Sequence, residues 1–250
     1  TARLKLLFQD LLLTLQNKAF RNLVGYEIAA MVAWGTISTL NILAWTYYWE
    51  FSATDISLIL SIPSLIAIGF AMFTLGPLTR RYQKHHLLQY ALIALIIDCL
   101  WLYPLKMTGL LPDNDTLIFA LNFVFMMIFI YCYLLRAITS YSIISDITDE
   151  HELDHGVRQE AGFFAVLNFI AKFASIFGPI YAGIVLDVIG LENGVLPGNV
   201  PVATQDGLVY AMGLGIIPAL VVAIYFVLQI NLDKARVEDI QARLKERGTA

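Results

Sequence analysis

Charge is what this 250-residue chain has least of: Asp, Glu, Lys and Arg make up 14% of it. A soluble domain carries about 25%, because its surface must be wetted. The deficit excludes an ordinary water-facing globule. No basic block is large enough to suggest nucleic-acid binding, and the net charge is −4. Cysteine is nearly missing as well. Cys99 and Cys132 both sit inside apolar runs, which gives neither a disulfide framework nor a metal-ligand spacing; both read as small buried residues. The opening residues do not read as a signal peptide either. Residues 1–22 mix Arg3, Lys5, Asp10, Lys18 and Arg21 with leucines, and no small-residue cleavage site follows. The chain opens Thr-Ala-Arg with no initiator Met, and the expectation is a piece of a longer protein.

In place of charge there is apolar length. Hydrophobic residues reach 58% and the mean hydropathy is +0.70. A spanning helix needs about 20 mostly apolar residues, each rising 1.5 Å, to cross roughly 30 Å of hydrocarbon. Six segments qualify, at about 23–49, 55–78, 87–107, 116–145, 160–186 and 207–230. Residues 1–22 form a lead-in, 23–230 the transmembrane bundle and 231–250 a tail. Charge or turn chemistry marks the breaks: Glu50 and Asp55; Arg80 to His86; Pro112 to Asp115; an acidic stretch from Asp146 to Glu160; and a Gly/Pro-rich loop over 190–206.

Lys and Arg set the orientation, because they accumulate in cytoplasmic loops. Arg3, Lys5, Lys18 and Arg21 precede the first span; Arg80, Arg81 and Lys84 follow the second; the fourth break holds Arg158, with Arg136 deeper in the helix before it; Lys234, Arg236, Arg243, Lys245 and Arg247 fill the tail. Only Lys106 falls on the other side, and Lys172 lies within a span. Both termini are therefore expected in the cytoplasm. In the tail, Val237, Ile240 and Leu244 recur at helical spacing among charges, so 233–247 reads as a short amphipathic helix at that surface.

An ionisable group at mid-bilayer costs about 2.5–3.5 kcal/mol on insertion scales, so it faces a protein interior or a wet cavity. Lys172, about 12 residues and hence about 18 Å into the fifth span, is the clearest case. Asp98 lies at similar depth in the third span, and Glu27 and Arg136 sit nearer the cytoplasmic ends of the first and fourth. A solute or ion pathway explains such groups; so does a buried ion pair tying helices together. Trp34, Trp45, Tyr47, Tyr48 and Trp49 crowd the first span. Most fit an interfacial belt, while Trp34, lying deeper, suits a stacking platform for a sugar ring. Glycines and prolines within the spans, among them Pro63, Gly178 and Pro179, suit close packing and kinks.

His151-Glu152-Leu153-Asp154-His155 fits the pattern H-E-x-x-H. On a helix this places two imidazoles on one face to bind zinc, with the Glu as general base. An intramembrane zinc metalloprotease is thus an alternative. Against it, the motif lies in a break rather than a span, Gly156 follows at once, and the other histidines, His85 and His86, belong to another loop.

From Asp146 the chain reads D-I-T-D-E-H-E-L-D-H-G-V-R-Q-E, then A-G-F-F, and on to Phe169-Ile-Ala-Lys172-Phe. This resembles the stretch between the tenth and eleventh helices of the glycoside-pentoside-hexuronide:cation symporters, the melibiose-permease-like branch of the major facilitator superfamily. The family pattern is D-x-x-D-x-x-E, a short gap, G-x-R-x-E, then an aromatic helix with an embedded Lys. Asp146, Asp149, Glu152, Gly156, Arg158, Glu160 and Lys172 match it in order and spacing. Asn17 to Phe20 resembles the start of the seventh helix, Pro77 to Tyr82 the loop between the eighth and ninth, and Asp233 to Leu244 the tail helix.

The resemblance implies an all-α membrane protein with six transmembrane helices, the C-terminal half-bundle of a twelve-helix transporter whose N-terminal half is missing. It implies symport of a sugar or related solute with Na⁺ or H⁺ by alternating access, in a bacterial inner membrane. No covalent chemistry, cofactor, metal or nucleic-acid partner is implied. Lys172 would face the solute and cation cavity, for which Trp34, Tyr131, Tyr133 and Asn168 are the further candidates. Asp146, Asp149, Glu152, Arg158 and Glu160 would form charge pairs closing the cytoplasmic side. A non-transporting scaffold or sensor of the same fold is a further alternative. Two departures stand out. The family's acidic cation ligands lie chiefly in the first half, and the tryptophan its sugar carriers keep on the tenth helix is replaced by Tyr131, Tyr133 and Tyr141 in the span 116–145.

Overall fold

Asn17 starts the first helix by accepting a hydrogen bond from the Phe20 N–H at 2.9 Å, which satisfies one of the donors every helix start leaves open. A computed structural model of the chain describes residues 14–112, 114–192 and 194–248. Arg3, Lys5, Asp10 and Asp113 lie outside the described residues. Helix α1 runs Lys18–Tyr47. Helix α2, Ala53–Arg81, opens with a reciprocal capping box between Ser52 and Asp55. Helix α3 is Lys84–Met107.

Helix α4, Asp115–His155, is 41 residues long, about 60 Å, or twice the hydrocarbon thickness. The acidic stretch that the sequence sets apart as a break is helical as far as His155. No glycine or proline interrupts residues 115–155, and charges cost nothing once the helix has left the lipid. Gly156, at φ 74°, ends it in the left-handed conformation that favours glycine.

The fifth apolar stretch divides into α5, Glu160–Ser175, and α6, Phe177–Ile189. Pro179 has no N–H for the Ser175 carbonyl, and its ring crowds that oxygen. The sixth divides for the same reason at Pro218, giving α7, Val202–Gly213, and α8, Ile217–Val227. Helix α9, Lys234–Gly248, is the tail. Counting α5–α6 and α7–α8 as single stretches, six helical segments among the described residues are long and apolar enough to cross a membrane.

Helix α1 is the axle of the bundle. It packs against α5, α6, α7 and α8, while α4 carries α2 and α3, and α3 closes against α8. Phe20, Leu23, Ala30, Ala33, Ile37, Leu40 and Ala44 of α1 are fully enclosed. Deep contact needs small residues, and Gly35 meets Gly178 of α6 backbone to backbone. Helix α2 is one of the less enclosed spans: Leu65, Met72 and Phe73 remain at least 70% exposed, as apolar side chains in lipid can. The tail docks its apolar stripe, with Ile240 buried and Val237 and Leu244 packed against the core.

Candidate functional site

Three helix faces converge on a cavity of about 340 Å³. Helix α1 contributes Glu27 and Met31, one turn apart. Helix α4 contributes Tyr133, Arg136, Ala137, Ser140 and Tyr141, and α5 contributes Leu167, Asn168, Ala171, Lys172 and Ser175. The spacings are those of single helical faces. Hence one rotation of each helix delivers its whole set.

Glu27 and Arg136 form a buried ion pair, Nη1 to Oε2 at 2.5 Å, with both side chains about 5% exposed or less. The guanidinium also lies over the rings of Trp34 (5.5 Å) and Tyr133 (5.0 Å), a placement that offsets its desolvation. Among the described residues its Nε has no hydrogen-bond partner, and the Ser140 hydroxyl makes no hydrogen bond of ordinary geometry. The Tyr26 hydroxyl, beside Ser140 and Arg136, makes no hydrogen bond of ordinary geometry. On the opposite wall, Asn168 accepts from the Tyr141 hydroxyl at 2.9 Å and donates to the Phe164 carbonyl. Lys172 lines the cavity; among the described residues its ammonium has no carboxylate within ion-pair distance. The cavity thus holds one compensated pair and one uncompensated cation.

Of the residues singled out in the sequence, Lys172, Tyr133 and Asn168 line this cavity, as do Glu27 and Arg136. Trp34 does not; it stands behind the guanidinium, 3% exposed. Tyr131 points away, its hydroxyl 2.9 Å from Thr74 Oγ1 and its ring against Phe70 of α2. Asp98 is also elsewhere: Oδ1 accepts from the Trp101 indole at 3.0 Å and Oδ2 has no partner. Ser140 and Tyr141 are among the lining residues that the sequence did not single out as such; their signal was their place seven and eight positions after Tyr133.

A second constellation sits at the end of α4. Arg158 bridges Asp149 (2.9 Å), Glu152 (3.0 Å) and Glu160 (3.2 Å). The hydrogen bonds it donates to Glu152 and Glu160, then the charge of Asp149, hold its guanidinium above the usual arginine range. Asp146 is not part of this cluster. It pairs with Lys84 of α3 at 2.6 Å; on nearly the same face as Asp149, it lies almost one turn further back along α4, level with the start of α3. The tail joins the same region. Gln241 donates to Asp149 at 3.4 Å, Arg247 to the Leu153 carbonyl at 2.6 Å, and Arg236 pairs with Glu150, which also accepts from Asn17 at 3.1 Å.

The H-E-x-x-H residues are occupied otherwise. His151 packs edge-on against Phe163 and stacks on His155 with centroids 4.3 Å apart, and Glu152 is bound to Arg158. Among the described residues no three His, Cys, Asp or Glu side chains are placed to hold a metal ion.

A family model described as MFS/sugar transport protein matches residues 4–234. No curated protein matches the chain.

Proposed function

Because this chain belongs to the MFS/sugar transport protein family, we propose that it is the C-terminal half of a secondary transporter that couples uptake of a sugar or related solute to Na⁺ or H⁺. The observation that carries the proposal is a polar cavity, walled by α1, α4 and α5, where Lys172, exposed on an otherwise apolar span, has no carboxylate partner among the described residues. An ammonium in hydrocarbon is tolerable only beside a hydrated path or a partner. In a twelve-helix transporter that partner, a solute or an acidic group, would come from across the interface with the other half.

The Arg158 cluster supports alternating access. Its members are exposed enough that each bridge contributes roughly 0–1 kcal/mol. Such bonds close one side of the molecule and yield on every cycle. The Lys and Arg distribution supports reading that side as the cytoplasmic one, with both termini there, and the proposal sets the protein in a bacterial inner membrane. The protein binds and releases its solute unchanged.

The test uses the full transporter reconstituted in liposomes under a Na⁺ or H⁺ gradient. Lys172→Ala should abolish coupled sugar uptake while insertion, read by protease protection, is preserved. The isolated 250-residue chain should give no ion-driven uptake. Unchanged uptake by Lys172→Ala, or robust uptake by a demonstrated monomer of this chain, would overturn the proposal.

A further inference from the structure

Unfilled hydrogen-bonding capacity is concentrated around one ion pair. Nine buried side-chain polar atoms lack a partner among the described residues, and four of them belong to Tyr26, Trp34, Arg136 and Ser140. All four surround the Glu27–Arg136 pair. The guanidinium lies over Trp34, Ser140 is one turn beyond Arg136 on α4, and Tyr26 adjoins Glu27 on α1. Glu27, Arg136 and Ser140 themselves line the cavity. Buried polar atoms are nearly always hydrogen-bonded in folded proteins. Arg136 and Ser140, which line the cavity, are therefore placed for a polar guest, while Tyr26 and Trp34 stand behind them.

The chemistry of the guest follows from the charges. Glu27 already neutralises Arg136, so an anion gains little from this pair, whatever Lys172 offers elsewhere in the cavity, and an apolar solute would leave the donors unmet. A carboxylate beside a guanidinium offers acceptors next to donors. Two neighbouring hydroxyl groups, each able to donate and accept, satisfy both at once. We infer that Glu27, Arg136 and Ser140 read a vicinal pair of hydroxyls on the sugar, so that this ion pair is a specificity-determining element of the pocket. The inference rests on the transport proposal and deepens it.

A site built to hydrogen-bond a hydroxyl discriminates strongly against the analogue lacking it, by up to about 10⁴–10⁵-fold when fully buried. The full transporter is titrated with D-glucose, D-galactose, D-xylose and D-fucose by tryptophan fluorescence, and uptake of each is measured. The sugar that binds is then replaced by its singly deoxygenated analogues. In the wild type, two adjacent positions should each cost at least about tenfold in affinity. In Arg136→Lys and in Ser140→Ala those two penalties should shrink, while penalties at other positions persist.

Uniform weakening across all analogues, or penalties unchanged in both variants, would make the pair merely structural and overturn the inference. Ser140→Ala removes a hydroxyl that adjoins only the Tyr26 hydroxyl and makes no well-formed hydrogen bond among the described residues, so it keeps the test decisive if Arg136→Lys fails to fold. If none of the four sugars binds or is taken up, the transport proposal falls and this inference with it.

Discussion

Gly178 of α6 lies so near Gly35 of α1 that a methyl group on Gly178 would sit 2.3 Å from the Gly35 carbonyl carbon. Both obstacles are backbone, so neither can swing aside. Gly178→Ala should therefore force α1 and α6 apart and cost about 1–3 kcal/mol, the usual range for an overpacked core. The measurement is the midpoint of SDS-induced unfolding in detergent micelles. Gly183→Ala is the control, since nothing lies within 4 Å of the Cβ it would add; its midpoint should not move.

Pro179 interrupts the α5–α6 stretch by denying the Ser175 carbonyl its helical partner. Pro179→Ala supplies an N–H at that place. The two helices should then run on as one, and amide exchange across residues 175–180 should slow by at least about tenfold, equivalent to about 1.4 kcal/mol of added local protection. Unchanged exchange would mean that the Gly35–Gly178 contact, rather than the proline, sets the break.

Arg158 is 47% exposed and bridges three carboxylates. Exposed bridges are weak and screened, so Arg158→Ala should alter global stability by less than about 1 kcal/mol. Locally the effect should be larger. Exchange at residues 156–162 should accelerate, and 1 M salt, where the Debye length is about 3 Å, should produce much the same acceleration in the wild type. Salt-insensitive exchange there would argue against an electrostatic latch.

Glu150 is 7% exposed and holds both Arg236 of the tail and Asn17 at the start of α1. A hydrogen bond to a charged group contributes about 1.5–3 kcal/mol. Glu150→Ala should therefore loosen α9, and trypsin should cleave between residues 234 and 247 at least about tenfold faster. The spanning helices should keep their far-ultraviolet circular dichroism.

Much of the architecture was legible because lipid imposes a simple demand: six apolar stretches of sufficient length stand out against sparse charge. The cavity was legible only in part. Glu27, Arg136 and Lys172 announced themselves through the cost of charge in hydrocarbon, but sequence gives no way to see that Glu27 reaches Arg136, 109 positions away. Tyr131 and Tyr133 differ by two residues, which on a helix of 3.6 residues per turn is about 200° of rotation. One therefore faces α2 and the other the cavity, and composition could not say which. Asp146 and Asp149 differ by three residues, and one found Lys84 where the other found Arg158. The stripe of Val237, Ile240 and Leu244 gave the tail its helix, while its docking on the end of α4 depends on Glu150, Asp149 and Leu153, which carry no periodic signal.

Helix α4 has one further consequence. It carries Arg136 at the cavity wall and Glu150 at the tail joint on a single unbroken rod, about 20 Å apart along its axis. A rod without a joint cannot pivot at one place and stay still at the other. A fluorophore attached near Asp154 should therefore register occupancy of the pocket without ever touching what occupies it.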